Sequence, residues 1–172
     1  MLAAALIAGD NGRSPAKPSR TMLRVAAREQ DPGLERAAFE AKIDGSPTKV
    51  LRVQGPEDDL VILIVLDLSG DPTLVDAARE ALTQRIESLA ENHWVGLMRA
   101  QDGLKALVDP TGEREGVLSA IRDYAATGKA GLLDTIEPVA ALGQRLMQRS
   151  GVRVAVVYVT DSNISNLSLI HI

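Results

Sequence analysis

The chain has 172 residues, enough for one ordinary domain with a small appendage. A net charge of −4 and only four aromatic residues exclude an electrostatic nucleic-acid footprint and a base-stacking platform. Cysteine is absent and histidine occurs twice, which excludes disulfides, thiolate zinc sites, thiol nucleophiles and three-histidine metal centres.

The chain opens on an apolar run, Leu2–Ala8, at the lower edge of a secretion-signal core but with no basic residue before it. Residues 1–20 are therefore expected to be a signal remnant or a disordered linker, with a polar Pro/Ser stretch over Asn11–Arg20. Thr21–Glu29 alternates apolar and polar residues as a half-buried strand does. Phe39–Ile43 and Thr48–Gln54 read as a hairpin around Asp44-Gly45. Residues 21–56 thus form a small β segment, too short to hold a core alone.

A larger α/β segment is expected over 57–166. Leu60–Leu66 is continuously apolar and β-branched, the mark of a sheet centre covered on both faces. Asp71-Pro72 supplies an N-cap and a proline for the first helical position. Apolar residues then recur at helical spacing from Leu74 to Leu89, predicting a helix to about Glu91. Trp94–Arg99 and Leu104–Val108 read as strands joined by an Asp102-Gly103 turn, with a second turn over Asp109–Gly112. Val117–Ala125 and Leu132–Met147 predict two helices, the second ended by Ser150-Gly151. Val152–Thr160 is again a strand, apolar enough for a central position. This order predicts a three-layer α/β domain around a mainly parallel sheet. No run is long enough to span a membrane. The last six residues, Leu167–Ile172 (LSLIHI), continue no earlier pattern. They resemble a translated sequencing-adapter end, so the native sequence is expected to stop near Asn166, before the fold closes.

Two apolar strands end alike, in Asp67 and Asp161. Ligands of open α/β sheets bind outside the carboxyl ends of strands, and two carboxylates there repel unless protonated or bridged by a cation. Ser69 and Asp71 follow Asp67 at alternate positions, so one loop aims three oxygen donors, a set suited to Mg²⁺, Mn²⁺ or Ca²⁺. Each residue also has a plain structural use. Asp71 is what a helix start wants, Ser69 with Gly70 is ordinary turn chemistry, and Asp67 and Asp161 are able to cap loops through backbone amides.

The blocks VILIVLDLSGD, HWVGLMRAQDGLKALVDPTGEREGVLSAI, GLLDTIEPVAAL and VRVAVVYVTDS resemble, in order, a von Willebrand factor A domain, over about Leu60–Ser165. The preceding LERAAFEAKIDGSPTKVLRV resembles the β segment before the A domain in bacterial, acidobacterial-type relatives, which are typically exported. The resemblance implies a three-layer Rossmann-like von Willebrand factor A fold. It also implies a metal-ion-dependent adhesion site of Asp-x-Ser-x-Ser pattern plus a later Thr and Asp. Asp67, Ser69 and Asp161 match three of its five positions; Asp71 replaces the second Ser, and the Thr position falls near Ala130.

The function so implied is a non-enzymatic protein-interaction or adhesion module with a degenerate metal site built on Asp67, Ser69, Asp71 and Asp161. Its partner is expected to be a protein or an extracellular surface ligand, with Mg²⁺ or Mn²⁺ as the possible ion. The alternative is a Mg²⁺-dependent phosphoryl-transfer or receiver domain using the strand-end Asp residues, but DLSGD does not supply the Asp-x-Asp-x-Thr of a haloacid-dehalogenase motif.

Overall fold

The computed structural model describes residues 2–9, 19–26, 39–55, 57–69 and 71–161. They fall in two compact units, Met1–Asp58 and Asp59–Ile172, each taken by itself.

The first unit is an antiparallel sheet of β1 (Leu2–Gly9), β2 (Ser19–Ala26), β3 (Ala41–Ile43) and β4 (Ser46–Gln54), in the order β2-β1-β4-β3. The apolar start of the chain is thus a strand where composition suggested a lead-in. It pairs with β2 along its whole length, from Leu2 opposite Ala26 to Gly9 opposite Ser19. Small apolar side chains suit a strand hydrogen-bonded on both edges as well as they suit an unstructured lead, and composition alone does not separate the two. The expected hairpin forms, with Asp44 at φ 49° and Gly45 at φ 80°. Two successive positive φ values give the turn whose twist matches its strands, and Asp-Gly tolerates them. Residues 11–18 of the expected linker lie outside the described residues.

The second unit carries the sheet β7-β6-β5-β8, built from β5 (Leu60–Asp67), β6 (His93–Arg99), β7 (Lys105–Thr111) and β8 (Arg153–Thr160). β5 runs parallel to β6 and to β8, and only β7 is antiparallel. Successive side chains of β5 point to opposite faces, and both faces are covered. Ile64 and Leu66 join Val95 and Leu97 against α1 (Pro72–Glu87) and α2 (Arg114–Arg122), through Val75, Ile86, Val117 and Ile121. Val65, Met98 and Ala100 pack on the other face with Val139 and Leu142 of α3 (Leu132–Ser150). The three-layer expectation holds, and Val65, Val95, Leu97 and Val139 are wholly buried.

Some element ends and the position of one strand differ from the sequence pattern. α1 stops at Glu87, where the Ser88 hydroxyl bonds the Arg85 carbonyl; Leu89 still packs on the core, so the apolar period outlasts the helix. β7 continues to Thr111 through Asp109-Pro110, read above as a turn. Among the described residues β7 pairs on one side only, an edge that accommodates a proline lacking its donor. β8, apolar enough for a central place, is the other edge of the described sheet and leaves Val156 and Val157 exposed. Residues 167–172 lie outside the described residues.

Candidate functional site

Because β5, β6 and β8 are parallel, their carboxyl ends share one edge of the sheet, the sheet top. There Asp67 ends β5, Asp161 follows β8, and Ser69 and Asp71 lie on the loop into α1. Asp67 and Asp161 are brought side by side: the Asp161 N–H donates to the Asp67 carbonyl at 3.4 Å.

Alternation along β5 puts Asp67 on the same face as Val65, the face that α3 covers. The Asp67 side chain is buried, and Leu132 N–H donates to its Oδ2 at 2.9 Å while Gly131 N–H donates to Oδ1 at 3.4 Å. α3 starts at Leu132, and its N-cap Gly131 has no side chain to cap the helix. A carboxylate from β5 therefore does the capping, in the favourable field of the helix start.

Asp161 does the same for the other loop. Its Oδ1 accepts from Ser69 N–H at 3.2 Å and its Oδ2 from Asp71 N–H at 2.7 Å. Asp71 is the N-cap of α1, and its Oδ1 accepts from Thr73 N–H at 2.9 Å and from the Thr73 hydroxyl at 2.7 Å. These two bonds hold the Asp71 carboxyl below its usual pKa range. A lowered folded pKa gives stability that is present above the unfolded value and lost as pH falls through the folded one. Thr73 amide exchange should accordingly stay protected down through the ordinary carboxylate range and rise only below it. In Asp71→Ala it should be fast at every pH; a Thr73 amide equally protected there would remove the cap.

The neighbouring loops close the ring. Asp102 N–H donates to the Lys129 carbonyl at 3.1 Å and Lys129 N–H returns a bond to Asp102 Oδ1 at 3.0 Å. Ala100 N–H donates to the Leu66 carbonyl at 2.9 Å. Beneath them Gln101 is wholly buried and Tyr124 nearly so, and the Tyr124 hydroxyl contacts the Gln101 amide. Burial pushes the Tyr124 hydroxyl above its ordinary pKa. It stays protonated throughout the ordinary pH range.

All four sequence-predicted residues meet at the sheet top, and Ala130 stands exposed on the adjacent loop. What sequence reasoning missed is the donor side: Gly131, Leu132, Gln101 and Tyr124. A glycine before a helical apolar period was the one available hint, since an N-cap without a side chain needs a cap from elsewhere. The donor set fits a cation poorly. Both oxygens of Asp67 and of Asp161, and one of Asp71, accept from protein donors, and Ala130 has no oxygen to offer from its side chain. Among the described residues no three His, Cys, Asp or Glu side chains form a group able to hold a metal. His93 starts β6 opposite Leu60, about 23 Å along the sheet from Asp67 at 3.3 Å per residue. No helix among the described residues is long and apolar enough to cross a membrane.

No curated protein matches the chain. The family model for the von Willebrand factor type A domain matches residues 62–163, the stretch that holds the mainly parallel sheet from the third residue of β5 onward, its three helices and all four predicted site residues. This chain belongs to the von Willebrand factor type A domain family.

Proposed function

We propose that the chain is a non-enzymatic protein-interaction module that presents the top of its second sheet to a protein or extracellular surface ligand. In this proposal Asp67, Ser69, Asp71 and Asp161 are a degenerate form of the family's adhesion site. The observation that carries it is the ring of amide–carboxylate bonds at the sheet top. It directs acidic oxygens at backbone donors and leaves Asp71, Asp102, Lys129 and Ala130 exposed on loops fixed to one another. Interaction is the common use of this family, and a rigid rim of this kind loses little loop entropy on binding. Export belongs to the same proposal, supported by the resemblance of the segment before Leu60 to exported relatives. A phosphoryl-transfer role has less support, because the carboxylate that would act as nucleophile, Asp67, is buried under α3.

The test is a thermal melt of the full chain with and without millimolar Mg²⁺ or Mn²⁺. The wild type should not shift. The double variant Asp71→Ser, Ala130→Thr restores the five-position pattern, and Ser is itself a good N-cap, so α1 should survive the exchange. An ion at a hundred times its Kd adds about 2.7 kcal/mol, roughly 5–10 °C for a chain of this size. That shift should appear in the double variant alone. A wild-type shift of this size, abolished by Ser69→Ala, would mean that the native site works with a cation. For the interaction itself, Lys129→Glu should weaken capture of partners from the native cell surface; wild-type behaviour of every rim variant would sink the sheet-top assignment.

A further inference from the structure

The buried pair below the ring has a task that neither the core nor the carboxylates explain. β6 pairs with β5 as far as Ala100, whose N–H reaches the Leu66 carbonyl at 2.9 Å. The chain then turns away through Asp102-Gly103, and Leu68, just past the end of β5, has no backbone neighbour on that side. The Gln101 side chain takes over. Oriented to satisfy both groups, its amide oxygen accepts from Leu68 N–H at 3.0 Å and its nitrogen donates to the Leu66 carbonyl at 3.2 Å. The amide thus stands in for the peptide unit that β6 no longer offers, and it does so on the two residues flanking Asp67. The Tyr124 hydroxyl, arriving from the end of α2, donates to the same amide oxygen and lies 3.4 Å from Leu68 N.

We propose that Gln101 and Tyr124 are positioning residues for the sheet-top loop, fixing the exit of β5 so that Asp67 meets α3 and Ser69 and Asp71 meet Asp161. The contacts are internal to the chain, so the role is independent of the partner's identity and of the metal question. A merely space-filling pair would need neither an amide nor a hydroxyl, and buried polar groups are retained at a cost unless bonded.

The experiment is residue-resolved amide exchange on the full chain, comparing wild type with Gln101→Met, Tyr124→Phe and the double variant. Gln101→Met keeps length and loses donor and acceptor. It should lower protection at Leu68, Ser69, Asp71 and Leu132 by at least about tenfold through local opening, with Ile64 and Leu97 changing far less. Tyr124→Phe should give a smaller loss at the same amides, and the double variant should match Gln101→Met, because the hydroxyl acts through the amide. Loop and core amides falling by one common factor, or loop amides unchanged, would overturn the proposal. If Gln101→Met does not fold, Tyr124→Phe decides on the same two criteria, since it leaves the amide in place.

Discussion

Asp67→Ala should melt about 10 °C below the wild type, without any metal in the buffer. The carboxylate is buried and holds the amides of the N-cap Gly131 and of Leu132, the first residue of α3. Its removal leaves Leu132 N–H, itself buried, with no replacement, because Gly131 has no side chain and water has little access. A hydrogen bond to a charged group contributes about 1.5–3 kcal/mol, and a helix start adds up to about 1 kcal/mol of favourable field. Recovery of the desolvation cost of the carboxylate offsets part of this, leaving about 3 kcal/mol. At roughly 3 °C per kcal/mol for a chain of this length the shift follows. Asp67→Asn keeps one acceptor without the charge and should fall about midway. A calorimetric series in which Asn and Ala variants melt alike would mean that charge, not bonding, supports α3. A wild-type melting point for Asp67→Ala would mean that α3 does not depend on this cap.

That ordering depends on a partner choice only the fold could reveal. Strand ends were legible: VILIVLD and VAVVYVTD each stop an apolar run on an aspartate, and parallel strands deliver such ends to one edge. The chain-order logic of strand, helix and turn also gave the three layers, since apolar periods of two and 3.6 differ sharply over eight or more residues. Asp44-Gly45 marked its hairpin because few residue pairs accept two positive φ values. Asp71 was legible as a cap because Pro72 follows it at the first helical position.

The rest was set over long sequence distances. Asp67 bonds amides 64 and 65 positions later, and Asp161 bonds amides 92 and 90 positions earlier; no local pattern encodes such pairs. Gln101 fell unassigned between the strand ending at Arg99 and the Asp102-Gly103 turn, and Tyr124 read as one more apolar residue of a helix, yet the two meet under the loop. Leu2–Gly9 shows the opposite limit: its composition suits a signal core and a strand equally. Pro110 failed as a turn marker because an edge strand tolerates a proline, here where the β6–β7 register shifts between Val95 and Leu97.

The second large effect is expected at Gly131. A Cβ there would stand well inside van der Waals contact of the Ala100 carbonyl oxygen and 3.3 Å from its carbon. Both are backbone atoms, so the clash is not relieved by a rotamer change. The Ala100 carbonyl also accepts from Gly103 N–H at 3.2 Å, which ties it into the Asp102-Gly103 turn. Gly131→Ala must therefore push the start of α3 away from the end of β6. The same movement draws Gly131 N–H and Leu132 N–H off Asp67. Overpacking of this kind costs about 1–3 kcal/mol, and the weakened cap brings the expected loss to about 3 kcal/mol. Gly116→Ala is the control. It lies inside α2 with nothing within 4 Å of its added Cβ, and should gain about 0.5–1 kcal/mol from helix propensity. Because Gly131→Ala and Asp67→Ala damage one contact from its two sides, the double variant should lose clearly less than the sum of the singles. Strict additivity in denaturant melts would separate the two effects and leave the clash with Ala100 as the whole cause at Gly131.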